Sequence, residues 1–215
     1  MGSSRYCPEW QEINMRIQPD TFIPTKGTGC TYRIIFMLHQ WNYNTYFETT
    51  LDTIHKLAQE PWIHLVLKPH TREIVEQPDY LSDLNKYPNV EIVGDIGSVE
   101  LIRWADAIIV AGSSIALEAI WQGKPVLYPK HHHDNTTIFE STRASWIVND
   151  DSELVKAVKE LSEGGFTPYN DKHTRELKRT LVYGNSQPSD ILERYVDFVL
   201  GGWRDWPPPP VAKLT

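Results

Sequence analysis

The segment Ala107-Ile108-Ile109-Val110-Ala111-Gly112-Ser113-Ser114-Ile115-Ala116-Leu117-Glu118-Ala119-Ile120 contains two periodicities in succession. Ala107 to Val110 is an unbroken apolar run, which suits a strand covered on both faces. Gly112 and the two serines interrupt it, and a helical pattern follows until Gly123. A buried strand feeding straight into a helix is one half of a βαβ unit.

Similar short apolar runs flank this unit: Ile34 to Leu38, Ile63 to Leu67 and Val90 to Val93 upstream, Pro125 to Tyr128 and Trp146 to Val148 downstream. Helical patterns lie between them. Phe47, Leu51, Ile54 and Leu57 share one helix face, and Pro61 ends that helix. Short helices are predicted around Tyr80 to Tyr87 and through Leu101 and Ile102. Asp150 with Glu153 forms a capping pattern before a helix lined by Leu154, Val155, Val158 and Leu161. Two more helices are predicted near 171 to 183 and 189 to 200. The expected fold is α/β, a Rossmann-like parallel sheet of about six strands with helices on both faces. The domain should span residues 33–201. Residues 1–32 read as a linker or arm without sustained periodicity, the run Pro24-Thr25-Lys26-Gly27-Thr28-Gly29 being turn formers. Residues 202–215, with four consecutive prolines, read as an extended or disordered tail.

The 215 residues are 40% hydrophobic and 23% charged, ordinary for a globular domain. A net charge of -7 and a pI near 5.6 give no field that would hold a nucleic acid backbone, so no nucleic-acid partner is expected. Cys7 and Cys30 are too few for a disulfide framework and lack metal-ligand spacing. With no bilayer-length apolar run and no signal-peptide pattern, a cytoplasmic protein is expected, at most peripheral at the inner face of a membrane.

In an open α/β sheet, ligands sit outside the carboxyl ends of the strands, so residues just after strands carry most weight. Gly112, Ser113 and Ser114 stand at such a junction, where free amides, a helix dipole and two hydroxyls favour a phosphate; simple capping by one serine is the plainer alternative. Glu118 lies one turn into the helix and is expected either to accept from ribose hydroxyls or to be an ordinary exposed helix glutamate. Lys68 and His70 follow the second strand, where a cation and an imidazole could meet a phosphate, a surface lysine and a loop histidine being the plainer alternative; Gly94 and Asp95 follow the third, where backbone groups could contact a base but an ordinary turn is the stronger reading. His131-His132-His133-Asp134 suggests a metal, but consecutive residues do not easily face one ion and no second cluster supplies further ligands. A loop contacting substrate is the expectation there, with no metal and no cofactor.

From these residues the chain resembles the C-terminal, donor-binding domain of glycosyltransferases with the two-domain GT-B fold. The likeness is carried by Lys68-Pro69-His70 and by Gly112 to Ile120 continuing into Gly123-Lys124-Pro125-Val126-Leu127, and it spans about residues 33 to 163. Within that fold it looks most like bacterial enzymes of capsule or lipopolysaccharide synthesis that use CMP-activated Kdo or sialic acid. Their His-Pro and Ser-Ser motifs hold the cytidine nucleotide. Ser113 and Ser114 match the second motif, whereas His70 is preceded by Pro69 and followed by Thr71, a departure from the first. Polymerases transferring a polyol phosphate from a CDP-activated donor look similar at the same places, and nucleotide-sugar 2-epimerases share the helix ending in Gly-Lys-Pro-Val. The resemblance implies a nucleotide-sugar donor, with His70, Ser113 and Ser114 at the motif positions; together with the strand-end reading, the expected binding residues are Lys68, His70, Gly94, Asp95, Gly112, Ser113, Ser114 and Glu118. It also implies a glycan or glycolipid acceptor and a separate N-terminal domain carrying the rest of the active site, with Gly2 to Trp10 as the linker from it. A non-catalytic binding module on the same fold is the remaining alternative.

Overall fold

Among the described residues six parallel strands form one sheet: β1 (Tyr32–Met37), β2 (Ile63–Lys68), β3 (Val90–Ile92), β4 (Ala107–Val110), β5 (Val126–Pro129) and β6 (Trp146–Val148), in the order β3-β2-β1-β4-β5-β6. This computed structural model describes residues 3–16, 26, 29–41, 44–70, 83–165, 170–185, 187 and 189–201. Each strand lies within about two residues of its apolar run, because both faces of a parallel sheet are covered and the run marks the buried backbone. The order reverses between β1 and β4, which pair in parallel from Ile34–Ala107 to Met37–Val110. That reversal opens a crevice at the carboxyl edge.

The helices are α1 (Pro8–Arg16), α2 (Phe47–Ala58), α3 (Ser98–Trp104), α4 (Ile115–Trp121), α5 (Ile138–Thr142), α6 (Asp151–Ser162), α7 (Asp171–Leu177) and α8 (Asp190–Val199). Alternation along the strands divides the core. Ile34, Phe36, Leu65, Leu67, Ile109 and Leu127 pack with Ile54 and Leu57 of α2 and Leu154 and Val158 of α6. The other parity, including Ile35, Ile108, Val110 and Val126, is equally buried, and α3 and α4 pack there, beside β1, β4 and β5. Asp150 caps α6 as its spacing predicts, its side chain accepting from the Glu153 amide at 2.8 Å.

The helix ending in Gly123-Lys124-Pro125-Val126 has a local mechanical basis. Gly123 stops α4 at φ +75°, a conformation that favours glycine, and Lys124 donates to the carbonyls of Arg103 and Ala105 at 3.0 and 2.6 Å. The lysine thereby ties the end of α4 to the end of α3.

The chain divides into two compact units, residues 17–176 and residues 1–16 with 177–215. In the second, residues 8–16 are helical although they show no apolar stripe. Their buried side chains include Gln11 and Asn14, so the usual apolar periodicity is missing. The helix rests on local signals: Pro8 at its first position, Glu9 in the first turn, and Glu12 paired with Arg16 one turn on. The Ser3 amide donates to the Val182 carbonyl at 2.7 Å, and α8 packs on the 3-10 turn Ser4–Tyr6. The region predicted as helix near 171 to 183 is α7 followed by a π-helical turn, Lys178–Val182. Of the helix expected around 80 to 87, only 83–87 lie among the described residues, with 83–84 helical. The proline-rich tail at 202–215 and most of the turn-rich run at 24–29 lie outside the described residues.

At the amino edge, Arg33 clamps Asp106: its amide and Nε donate to Oδ2 at 2.9 and 3.0 Å, and Nη2 donates to Oδ1 at 2.7 Å. Burial alone would raise the Asp106 carboxyl, but the Arg33 hydrogen bonds and the charges of Arg33 and Lys124 outweigh it and hold it below its usual range. A carboxylate with a depressed folded-state pKa stabilises the fold above its unfolded value, about 3.9, and loses that contribution as pH falls through the folded value. Asp106→Asn should therefore cost about 1 kcal/mol near pH 7, the pair being half-exposed. In urea melts the gap to wild type should shrink steadily below about pH 4. A gap that does not change with pH would remove the ion pair as its cause.

Candidate functional site

The crevice at the β1–β4 reversal has a volume of about 510 Å³. Four strand ends supply its lining. Leu38, His39 and Gln40 follow β1, His70 follows β2, Ala111, Gly112 and Ser113 follow β4, and His133 with residues 135–137 follows β5. Asn44 and Thr45 complete the rim.

The far wall is stitched to the β1 loop by backbone. Thr45 and His133 form an antiparallel bridge, the Tyr46 amide donates to the His132 carbonyl at 2.8 Å, and the Asp134 amide donates to the Asn44 carbonyl at 3.2 Å. Thr137 caps α5 in a capping box with Glu140. Its hydroxyl donates to the Tyr128 hydroxyl at 2.9 Å, which donates to Glu140 at 3.2 Å. Burial pushes the Tyr128 phenol up to about 12, with Glu140 adding to it, so Tyr128 stays a neutral hub beneath the wall.

Two buried histidines of the lining, His39 and His133, have neither ring nitrogen partnered among the described residues, and His39 has the more clearly displaced pKa of the two. His39 stands just beyond the end of β1 and is 7% exposed. Burial, with smaller effects from His133 and His70, pushes its pKa down to about 4, so at neutral pH it presents one donor and one acceptor without charge. Its ring stands edge-on to Trp41, 5.2 Å between centroids, which fixes its direction. Burial, then Lys130, likewise lowers His133. An unpaired buried polar group is costly, and at a crevice it is the kind of group a ligand satisfies.

Gly112 adopts φ +70°. A Cβ there would lie 3.5 Å from Thr137 Cγ2 and 4.0 Å from His133 Nε2, so its bare backbone keeps the floor of the crevice open. Ser113 is half-buried and lines the crevice, its Oγ only 3.5 Å from the Ile115 amide. Ser114 is the residue before α4, is exposed, makes no side-chain cap, and is not among the lining residues.

The structure gathers His70, Gly112 and Ser113 in the crevice and sets the other expected residues around it. Lys68 is buried and donates to the Gly94 carbonyl at 2.5 Å; burial lowers its pKa while Asp95 opposes the shift. Lys68, Gly94 and Asp95 thus form one local group joining the ends of β2 and β3. Glu118 is 1% exposed on the inner face of α4 and accepts from Gln122 Nε2 at 2.9 Å, and it does not line the crevice.

Sequence reasoning missed His39, Gln40 and the Thr136-Thr137 pair. His39 stands just beyond the first strand, so the rule applied to the later strands would have found it. The histidine run divides: His133 enters the crevice, whereas His131 and His132 turn towards α2 and α6.

No protein-family model matches the sequence, and no curated protein does. Solved structures are similar in fold. A putative UDP-N-acetylglucosamine 2-epimerase from Listeria monocytogenes is 15% identical, with a TM-score of 0.58 over 97% of this chain and 54% of that one. UDP-GlcNAc 2-epimerase from Neisseria meningitidis bound to UDP-GlcNAc is 17% identical, with a TM-score of 0.56 over 89% and 50%. WaaG, a glycosyltransferase involved in lipopolysaccharide biosynthesis, is 15% identical, with a TM-score of 0.50 over 93% and 55%. The chain spans about half the length of these structures. Among the described residues no helix is long and apolar enough to cross a membrane. At these identities the likeness is one of fold, an α/β Rossmann-like parallel sheet.

Proposed function

We propose that this chain is the donor-binding half of a glycosyltransferase and that its crevice holds the nucleotide of a CMP-activated acidic sugar of the Kdo or sialic acid type. The acceptor, a glycan or glycolipid, would be bound by a separate N-terminal domain. The observation that carries the reading is His39: a buried imidazole, neutral at pH 7 and with neither nitrogen partnered among the described residues, lining one crevice with Gly112 and Ser113 at the point where strand order reverses. In this arrangement the amides and hydroxyl of Gly112 and Ser113 receive a phosphate, His70 approaches it from β2, and His39 hydrogen-bonds the nucleotide from β1. Lys68, Gly94 and Asp95 shape the neighbouring edge where the base would lie, and Glu118 supports α4 from within.

A thermal-shift screen of CMP, CDP, UDP and GDP tests this, because a ligand that binds only the folded state raises the melting temperature by mass action. CMP should give the largest shift; preference for CDP would favour a polyol-phosphate transferase. Failure of all four would leave a module without nucleotide chemistry. Ser113→Ala should weaken CMP by about 1 kcal/mol, and Ser114→Ala should leave calorimetric affinity unchanged, since only Ser113 lines the crevice. Equal losses at both serines would place the phosphate further along α4. The 2-epimerase reading is the second, favoured by the TM-scores of 0.58 and 0.56 to two such structures, against 0.50 to WaaG. Selective binding of UDP, with epimer interconversion once the full-length protein is assayed, would establish it instead.

A further inference from the structure

Away from the crevice, the histidine run meets a carboxylate. His131 and His132 belong to a 3-10 turn, Lys130–His132, packed on α2. The turn brings the two consecutive rings together, 4.3 Å between centroids, where an extended backbone would send them to opposite sides. His131 Nε2 lies 2.9 Å from Oδ1 of Asp151, the first residue of α6. His132 Nε2 lies 2.8 Å from the Thr53 hydroxyl of α2, which itself bonds Asp151 Oδ1. One nitrogen from each ring and one carboxylate oxygen all lie within 4.8 Å of one another. His132 is fully buried, and the side chains of His131 and Asp151 are 14% and 13% exposed.

We propose that His131, His132 and Asp151 form a structural site for a divalent ion of the zinc class, completed by the Thr53 hydroxyl or a water. Two imidazoles and a carboxylate are a borderline-soft donor set that suits zinc and its neighbours, not calcium or magnesium, which take oxygen ligands. Tetrahedral bonds of about 2.0–2.1 Å put ligand atoms about 3.4 Å apart, so closure needs side-chain movements on the order of 1 Å. The two Nε2 atoms already converge on Asp151 Oδ1 and on the Thr53 hydroxyl bound to it, so an ion there would take the place of those hydrogen bonds and leave the ring positions otherwise as they are. Lys56 holds Asp151 Oδ2 at 2.6 Å, which orients Oδ1 towards the histidines. The ion would join the 3-10 turn to α6, with Thr53 of α2 beside it. His133, the next residue, enters the nucleotide crevice, so the ion would also fix that wall.

The test uses the untagged 215-residue chain, stripped of metal and titrated with zinc and cobalt(II) salts, with magnesium as the control. One equivalent of zinc should bind and raise the melting temperature by several degrees, magnesium should do neither, and cobalt should give the intense visible absorption of a tetrahedral site. His131→Gln and Asp151→Asn should each lower zinc affinity at least tenfold, measured against a competing chelator. His133→Gln, from the same run, should change it less than about twofold, which separates a built site from chelation by adjacent histidines. If Asp151→Asn fails to fold, the wild-type cobalt spectrum and His131→Gln carry the test. The proposal is overturned if zinc does not bind stoichiometrically at micromolar concentration, if cobalt stays octahedral, or if His133→Gln costs as much as His131→Gln. Nucleotide affinity is read separately, so failure of either reading leaves the other standing.

Discussion

His39→Leu should cost nucleotide affinity about 2–3 kcal/mol, a loss of roughly 30- to 150-fold, while the melting temperature stays level or rises slightly. The two effects separate because the ring gains nothing from the protein itself: both nitrogens are buried and unpartnered among the described residues. Leucine is of similar size and removes that desolvation cost, at the loss of an edge contact with Trp41 worth about 0.5–1 kcal/mol. A phosphate placed beside the ring would favour its protonated form, so its pKa, about 4 in the free protein, rises on binding. Wild-type affinity should then gain on that of His39→Leu as pH is lowered from about 7 towards about 5. The comparison between the two proteins cancels the titration of the nucleotide phosphate. Calorimetry checks both effects. A large loss of stability, with unchanged affinity for folded protein, would make His39 a packing residue.

Gly112→Val should have the second large effect, acting on fold and crevice together. At φ +70° a β-branched side chain is strained by about 1–3 kcal/mol, because its Cβ crowds the adjacent carbonyl. The branches would extend from the position where a bare Cβ already meets Thr137 Cγ2 at 3.5 Å. The expected outcome is a fall of several degrees in melting temperature and a nucleotide affinity at least tenfold lower. Gly112→Ala should share the strain and most of the stability loss but intrude less on the crevice, so the affinity of the pair should fall with side-chain volume. If alanine and valine weaken binding equally, the backbone conformation and not the open space matters.

The strands and most helices were legible in the sequence because their signals are local. An apolar run such as Ile34 to Leu38 marks backbone buried on both faces, and Asp150 with Glu153 caps a helix through neighbouring atoms. Gly112 and Ser113 were legible for the same reason, as a break between a strand and a helix. The α1 helix was not, because its buried face carries Gln11 and Asn14 and so has no apolar stripe to read.

Tertiary structure alone decided which strand ends meet. Nothing local in Met37-Leu38-His39 or in Val110-Ala111-Gly112 states that β1 and β4 are neighbours, yet their pairing brings His39 and Gly112 to one crevice. It also divided the histidine run, curling His131 and His132 towards an aspartate that begins a later helix while His133 turns into the crevice. The physical reason is common to both cases. Periodicity and turn chemistry act over a few residues, whereas strand order and the meeting of distant polar groups follow from how the whole sheet and its helices bury their apolar faces, which no short stretch of sequence contains.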